Sequence, residues 1–165
     1  MEILRRSNMA LLWLLVRLWV GYQWLTSGLE KVNNPVWTGD KAGVAVTGFL
    51  NGALAKAGEG AHPEVHGWYA DFIRAVALPN AKLFSYLVAY GEVLVGIALI
   101  LGFFTYFAAL AGAIMNLAYL WAGTSSTNPE LLALQLFLLT AGPVAWAIGL
   151  DRYVMPALQR RISPG

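Results

Sequence analysis

The 165-residue chain is 58% apolar and only 12% charged, about half the charged fraction of an ordinary soluble domain. That balance argues against a water-soluble globular fold and for one membrane-embedded domain over residues 1–165. The net charge of +2 gives no reason to expect nucleic-acid binding, and with no cysteine there is no disulfide, iron–sulfur cluster, c-type haem or thiol nucleophile. No metal-spaced cluster of His and acids stands out, so no metal site is expected and redox chemistry would call on a bound carrier or a partner.

Four stretches are long enough to cross a bilayer, which takes about 20 apolar residues per helix. The first, 9–29, reads MALLWLLVRLWVGYQWLTSGL and is interrupted by Arg17, Tyr22 and Gln23. A signal peptide has a shorter apolar core without a central Arg, so this reads as a retained helix. Residues 30–82 follow, with Lys31, Lys41, Lys56, Arg74 and Lys82 balanced by Glu30, Asp40, Glu59, Glu64 and Asp71. A connection of this length is usually functional or disordered. Within it GVAVTGFLNGALAKA and HGWYADFIRAVAL both carry helix-like apolar spacing, which predicts two short interfacial helices capping the bundle.

The second and third spans, 83–102 and 105–123, form one apolar run about twice a single span, so the chain must fold back. Gly102 is the expected turn. The fourth span, 131–150, is preceded by SSTNPE. This places Thr127 or Asn128 as N-cap, Pro129 in the first turn and Glu130 near the positive helix end. Pro143 is expected to kink this span. Arg5 and Arg6 precede the first span; Arg152, Arg160 and Arg161 follow the last. An even number of spans puts both termini on one side, cytoplasmic by the excess of basic residues, with 30–82 outside. The fold class is therefore all-α, a four-transmembrane-helix bundle with a long extracytoplasmic loop between helices one and two. Trp37, Trp68 and Trp121 lie near the predicted boundaries, as an aromatic belt would.

Each span carries a small-and-polar stripe at helical spacing. The four read Arg17, Gly21, Trp24, Gly28, Lys31; Ser85, Ala89, Glu92, Gly96; Thr105, Ala109, Gly112, Asn116, Tyr119, Gly123; and Gln135, Leu138, Gly142, Ala145, Gly149. Small residues allow close helix approach and polar ones bond across it, so the stripes are expected to face one another. Glu92 stands alone in its apolar run, and a carboxylate there costs roughly 2.5–3.5 kcal/mol on insertion scales. Taking Lys31 and Leu83 as the outer ends of two antiparallel helices, Arg17 and Glu92 come within about 7 Å along the axis at about 1.5 Å per residue. Arg17 is thus the expected counter-charge of Glu92. The pair is read either as a structural staple or as part of a substrate or proton path.

The stretch from Arg17 to Lys31, RLWVGYQWLTSGLEK, resembles the first helix of DoxX-like proteins. GEVLVGIALILGFFT, from Gly91 to Thr105, resembles their second, and GLDR at Gly149–Arg152 their closing motif. The loop sequence HPEVHGWYADFI and the GTSSTNP after the third span are closest to the DoxD branch, the membrane subunit of thiosulfate:quinone oxidoreductase. The resemblance implies a four-helix bundle in a prokaryotic cytoplasmic membrane. It implies oxidation of two thiosulfates to tetrathionate, with electrons passing to a membrane quinone. It also implies a small companion subunit, which no segment of this chain resembles.

On that implication Glu92 and Arg17 are the catalytic candidates. Burial favours the neutral form of a carboxyl group, which suits a proton donor, while an adjacent Arg favours the ionised form. Trp24, Tyr90, Tyr22 and Tyr119 are candidates to hold the quinone ring. Lys31, His62, His66 and Asn116 are candidates for the sulfur oxyanion or a carbonyl. His62 and His66 share a face if a helix starts at Pro63. Asp151–Arg152 reads as a cap and anchor. Partners are then the bilayer, quinone, a small sulfur oxyanion, a companion subunit and a second copy of the chain. The competing readings are a non-catalytic adaptor that docks a redox partner, and a small-solute or proton conduit.

Overall fold

The computed structural model describes residues 7–58 and 62–162, and among them every regular element is helical. The helices are α1 (Ala10–Val32), α2 (Val44–Ala55), α3 (Gly67–Phe72), α4 (Ala81–Leu101), α5 (Thr105–Trp121), α6 (Asn128–Ala141) and α7 (Asp151–Ile162). A π-helical turn, Ile73–Ala77, extends α3, and a 3-10 segment, Gly142–Trp146, extends α6. Two stretches are long and apolar enough to cross a membrane, Ala81–Leu101 and Asn128–Trp146. Helix α1 is longer, at 23 residues, but carries Arg17, Glu30 and Lys31. Helix α5 is apolar and has 17 residues.

Helices α1 and α4 run antiparallel along an extensive seam set by glycines. A Cβ added at Gly96 would lie 2.5 Å from the Leu25 backbone nitrogen, and one at Gly28 would lie 2.6 Å from that of Val93. With no side chain between them the backbones approach closely, and dispersion contacts accumulate along the seam. Gly28 thus sits level with Glu92–Val93, and Gly21 level with Gly96–Ile100. Helices α5 and α6 form the second pair. The four stripes do face inward: Arg17, Gly21, Trp24, Gly28, Ser85, Ala89, Glu92, Gly96, Thr105, Ala109, Gly112, Asn116, Gln135, Leu138 and Ala145 are all buried. Leu11, Leu15, Leu87, Leu94, Phe107 and Phe137 point outward.

Helices α2 and α3 cap the end of the bundle where Lys31 lies. They share a small core of Val46, Leu50, Ala53, Val65, Tyr69 and Ile73. Two contacts pin the cap to the far hairpin. Lys56 Nζ donates to the Gly123 carbonyl at 2.6 Å, and the Tyr69 hydroxyl to the Ala118 carbonyl at 2.9 Å. Burial pushes the Tyr69 phenol above its ordinary value, so it stays a donor.

Several boundaries differ from those expected. Helix α4 begins before residue 83, at Ala81, and α1 runs on to Val32. The fourth span is not one helix over 131–150. It starts at Asn128 and its α-helical part ends at Ala141, where Gly142 takes φ +67. The break falls one residue before Pro143, whose preceding residue is biased away from helical angles. Gly102 makes the expected turn at φ +64. Thr127 is the N-cap residue of α6, but its side chain makes no capping bond. No helix starts at Pro63; α3 begins at Gly67, so His62 and His66 share no helical face. Arg5, Arg6 and Glu59 and the side chains of Arg160 and Arg161 lie outside the described residues.

Gly96→Ala is expected to destabilise the fold by about 1–3 kcal/mol, because the new methyl meets backbone across the seam. Gly52→Ala, on α2 with no atom near the new methyl, should be neutral or stabilising by up to about 1 kcal/mol. Denaturant titrations of both variants in detergent check this; equal effects would mean the seam is not tight.

Candidate functional site

The residues expected to pair across the bundle occupy opposite ends of it. The glycine seam puts Glu92 level with Gly28, so the nearest basic side chain on α1 is that of Lys31, and Arg17 is about eleven residues, or roughly 16 Å, away along α1. Lys31 Nζ lies 2.7 Å from Glu92 Oε2. The Tyr119 hydroxyl on α5 donates to Glu92 Oε1 at 2.8 Å. The Lys31 ammonium also donates to Ser27 Oγ at 2.7 Å and sits 5.3 Å from the centre of the Trp37 ring. The Glu92 side chain is 2% exposed and that of Lys31 19%. The carboxylate thus has a charged and a neutral donor, which offsets its burial cost.

The expected Arg17–Glu92 pair is therefore wrong. It assumed that Lys31 and Leu83 were level, whereas α4 projects further towards the cap. Arg17 instead donates to the Ala145 and Ile148 carbonyls, against Gly102 and Gly149. Close by, Asp151 accepts from the backbone N–H groups of Phe104 and Thr105, both at 2.7 Å. Asp151 is thus a cap, as expected, but for the start of α5. Arg17 fastens the far end of the bundle and has no place beside Glu92.

A cavity of about 470 Å³ lies under the α2–α3 cap and beside Glu92. Its walls include Trp24, Trp37, Phe49, Tyr69 and Leu131, with Ser27, Lys31, Glu92 and Tyr119 as the main polar groups. Glu30 and the polar stretch Ser126–Asn128 line its rim. Of the expected site residues, Glu92, Lys31, Trp24 and Tyr119 come together here. Asn116 is one turn further in, donating to Gln135 Oε1 at 2.6 Å. Tyr22 and Tyr90 do not reach the cavity. They are 55% and 48% exposed and stack outside, on Trp19 and Tyr86. His62 and His66 are exposed and line no part of it. Among the described residues no group of three or more His, Cys, Asp or Glu comes together to hold a metal.

Sequence reasoning missed Ser27, Trp37, Phe49 and Tyr69. Ser27 was legible in principle, four residues before Lys31 on one face. Trp37 was read as belt, but it is half-buried under the cap. Phe49 and Tyr69 reach the site only because α2 and α3 fold back over it.

The DoxX family profile matches residues 12–125. The chain belongs to the DoxX family. No curated protein and no solved structure matches it. The matched span of this DoxX-family membrane protein contains Lys31, Glu92, Tyr119 and Trp24, and stops before α6, which supplies Gln135.

In a double-mutant cycle Lys31→Met with Glu92→Leu should be more stable than the sum of the single effects by about 1–3 kcal/mol, because each single change strands the other charge. Arg17→Met with Glu92→Leu should be additive within about 0.5 kcal/mol, as distant sites are. Coupling between 17 and 92 but not between 31 and 92 would overturn the pairing.

Proposed function

We propose that this DoxX-family protein is a quinone-reducing oxidoreductase of sulfur compounds, or its membrane subunit, with the quinone headgroup seated in the cavity beside Glu92. The observation that carries the reading is a buried Lys31–Glu92–Tyr119 network opening onto an aromatic-lined cavity. Quinone reduction takes up two electrons and two protons, and joining two thiosulfates into tetrathionate releases two electrons. The residues suit the headgroup. Trp24 and Trp37 in the cavity wall offer ring faces, and Lys31, Ser27 and Tyr119 are polar groups beside them. The Glu92 carboxylate, accepting from Tyr119 and held in place by Lys31, is the group that passes protons beside the ring.

The cavity's charge bears on which substrate enters it. Its lining holds two carboxylates, Glu30 and Glu92, and one cation, Lys31, which is already paired. A dianion such as thiosulfate meets no free cation there, whereas a neutral ring does. The sulfur donor is then oxidised at the mouth or on a companion subunit rather than against Lys31. An Arg17–Glu92 pair with no cavity beside it would favour the adaptor reading; Glu92 instead pairs with Lys31 beside a cavity. The conduit reading is opposed by the fully buried apolar layer of Val20, Leu99, Ala109 and Leu138 between the two polar ends.

The placement proposed is the four-helix bundle in the cytoplasmic membrane, with both termini inside and the cap outside. Cysteine introduced at Thr47, exposed on α2, should react with an impermeant thiol reagent on intact cells, and one at Ser7 should not; the reverse pattern would overturn the orientation. For the activity, purified protein should reduce a soluble quinone with thiosulfate, supplemented if needed with its co-purifying subunit. Glu92→Gln should lower turnover at least tenfold, with little change in the Michaelis constant for thiosulfate. Undiminished turnover in Glu92→Gln would remove it from the chemistry.

A further inference from the structure

The cavity beside Glu92 is open on one side, and its exposed lining residues show which. They are Glu30, in the last turn of α1, and Ser126 and Thr127, in the turn before α6. From there the lining follows one flank of α1 inward, through Thr26 to Gln23. Gln23, Thr26 and Glu30 are spaced by three and four, so they form one row on the helix. That row is turned away from the seam with α4, which runs along Gly21, Leu25 and Gly28. The facing wall is Thr127, Asn128 and Leu131, at the start of α6. The opening is therefore a slot between α1 and α6, about 10 Å tall from Glu30 to Gln23 at about 1.5 Å per residue.

The packing leaves this junction loose. Helix α1 pairs with α4, and α5 with α6. At the far end Arg17 ties α1 to the carbonyls after α6. At the cap end, among the described residues, no hydrogen bond joins α1 to α6 or to the turn before it. Above the cavity the cap supplies a lid of Val46, Phe49, Leu50 and Tyr69. At the height of the slot, Tyr22 and Leu29 on the outer face of α1 are exposed, as side chains that meet lipid are. The slot thus opens sideways into the bilayer. At its inner end Gln23 interrupts the first span with an amide that makes no hydrogen bond to any described residue, although it lines the cavity. A polar group at membrane depth with no partner is costly, and a polar ligand head in the cavity gives it one.

We propose that the slot between α1 and α6 is a lateral port, through which a ligand dissolved in the bilayer enters the cavity and in which its hydrocarbon tail lies while its head sits beside Glu92. This rests on the quinone reading and adds the class of quinone: a lipid-dissolved one, whose tail is held by the protein. About 470 Å³ is room for a molecule of drug size, so a long isoprenoid chain does not fit beside its own ring. The chain has to leave through an opening that meets lipid, because each CH₂ left in water costs about 0.8 kcal/mol. Thr26 on one wall and Leu131 on the other flank its path, and the Thr26 hydroxyl is already occupied by the Tyr22 and Gln23 carbonyls of its own helix.

Equilibrium binding of two probes to the full-length protein in detergent, by calorimetry, tests this. One probe is a benzoquinone carrying an isoprenoid chain; the other is the same ring without the chain. Wild type should bind both. Thr26→Trp and, separately, Thr127→Trp narrow the slot from its two walls. Each should weaken the tailed ring about tenfold more than the bare ring, as an added clash would. Leu94→Trp, on the outward face of α4 and 67% exposed, should leave the two affinities in their wild-type ratio. Calorimetry reads affinity apart from the number of active sites, so partial unfolding of a variant does not imitate the effect. If both slot variants keep the wild-type ratio, or Leu94→Trp changes it equally, the port is wrong while the quinone reading stands. The same holds if wild type binds the bare ring and not the tailed one. If wild type binds neither, the quinone reading falls and the port with it.

Discussion

The close approach of α1 to α4 is the constraint on which the rest of the structure depends. Gly28 and Gly96 remove the side chains that would hold the two backbones apart, and a seam with backbone on both sides has one register. That register decides which charges meet. It brings Lys31 against Glu92 and sends Arg17 to the opposite end. A shift of one turn would leave a carboxylate buried without its cation, which costs several kcal/mol. The glycines and the ion pair therefore select the same alignment, the mutual consistency expected of a sequence that specifies one fold.

The bundle is polar at both ends and apolar in the middle, and the two ends do different work. At the far end Arg17 ties the carbonyls after α6 to the α4–α5 turn, and Asp151 satisfies the first N–H groups of α5. These are backbone groups that a membrane interior cannot hydrate. Every contact there fastens chain to chain. At the cap end the charged groups border space. Glu92 is held by Lys31 and Tyr119, yet the network faces a cavity, and a few polar groups in an otherwise apolar cavity wall are the usual form of a small-molecule site.

The cap completes that site. Helices α2 and α3 bring Phe49 and Tyr69 over the cavity, and Lys56 and Tyr69 bind the cap to the α5 side of the bundle. Without them Lys31 and Glu92 would stand at an open end, screened by water and weakly coupled. Covered, their electrostatics operate at low effective dielectric. The π-helical turn after α3 lies in this cap, and such turns favour functional regions.

The sequence by itself determined the membrane class, the approximate helices, the Gly102 reversal and the inward stripes. Those follow from composition and from a 3.6-residue period, which are local properties of the chain. The same stripes named Glu92, Lys31, Trp24 and Tyr119. What they could not give was axial register, because periodicity fixes which face a residue occupies but not how far one helix slides along another. That single unknown turned Lys31–Glu92 into an expected Arg17–Glu92. It hid the Asn116–Gln135 bond in the same way, since that depends on how α5 and α6 align. Phe49, Tyr69 and Trp37 entered the site, and Tyr22, Tyr90, His62 and His66 fell outside it, for a second reason. Where the segment between α1 and α4 folds back is set by contacts between residues distant in sequence, and only the tertiary structure decides those.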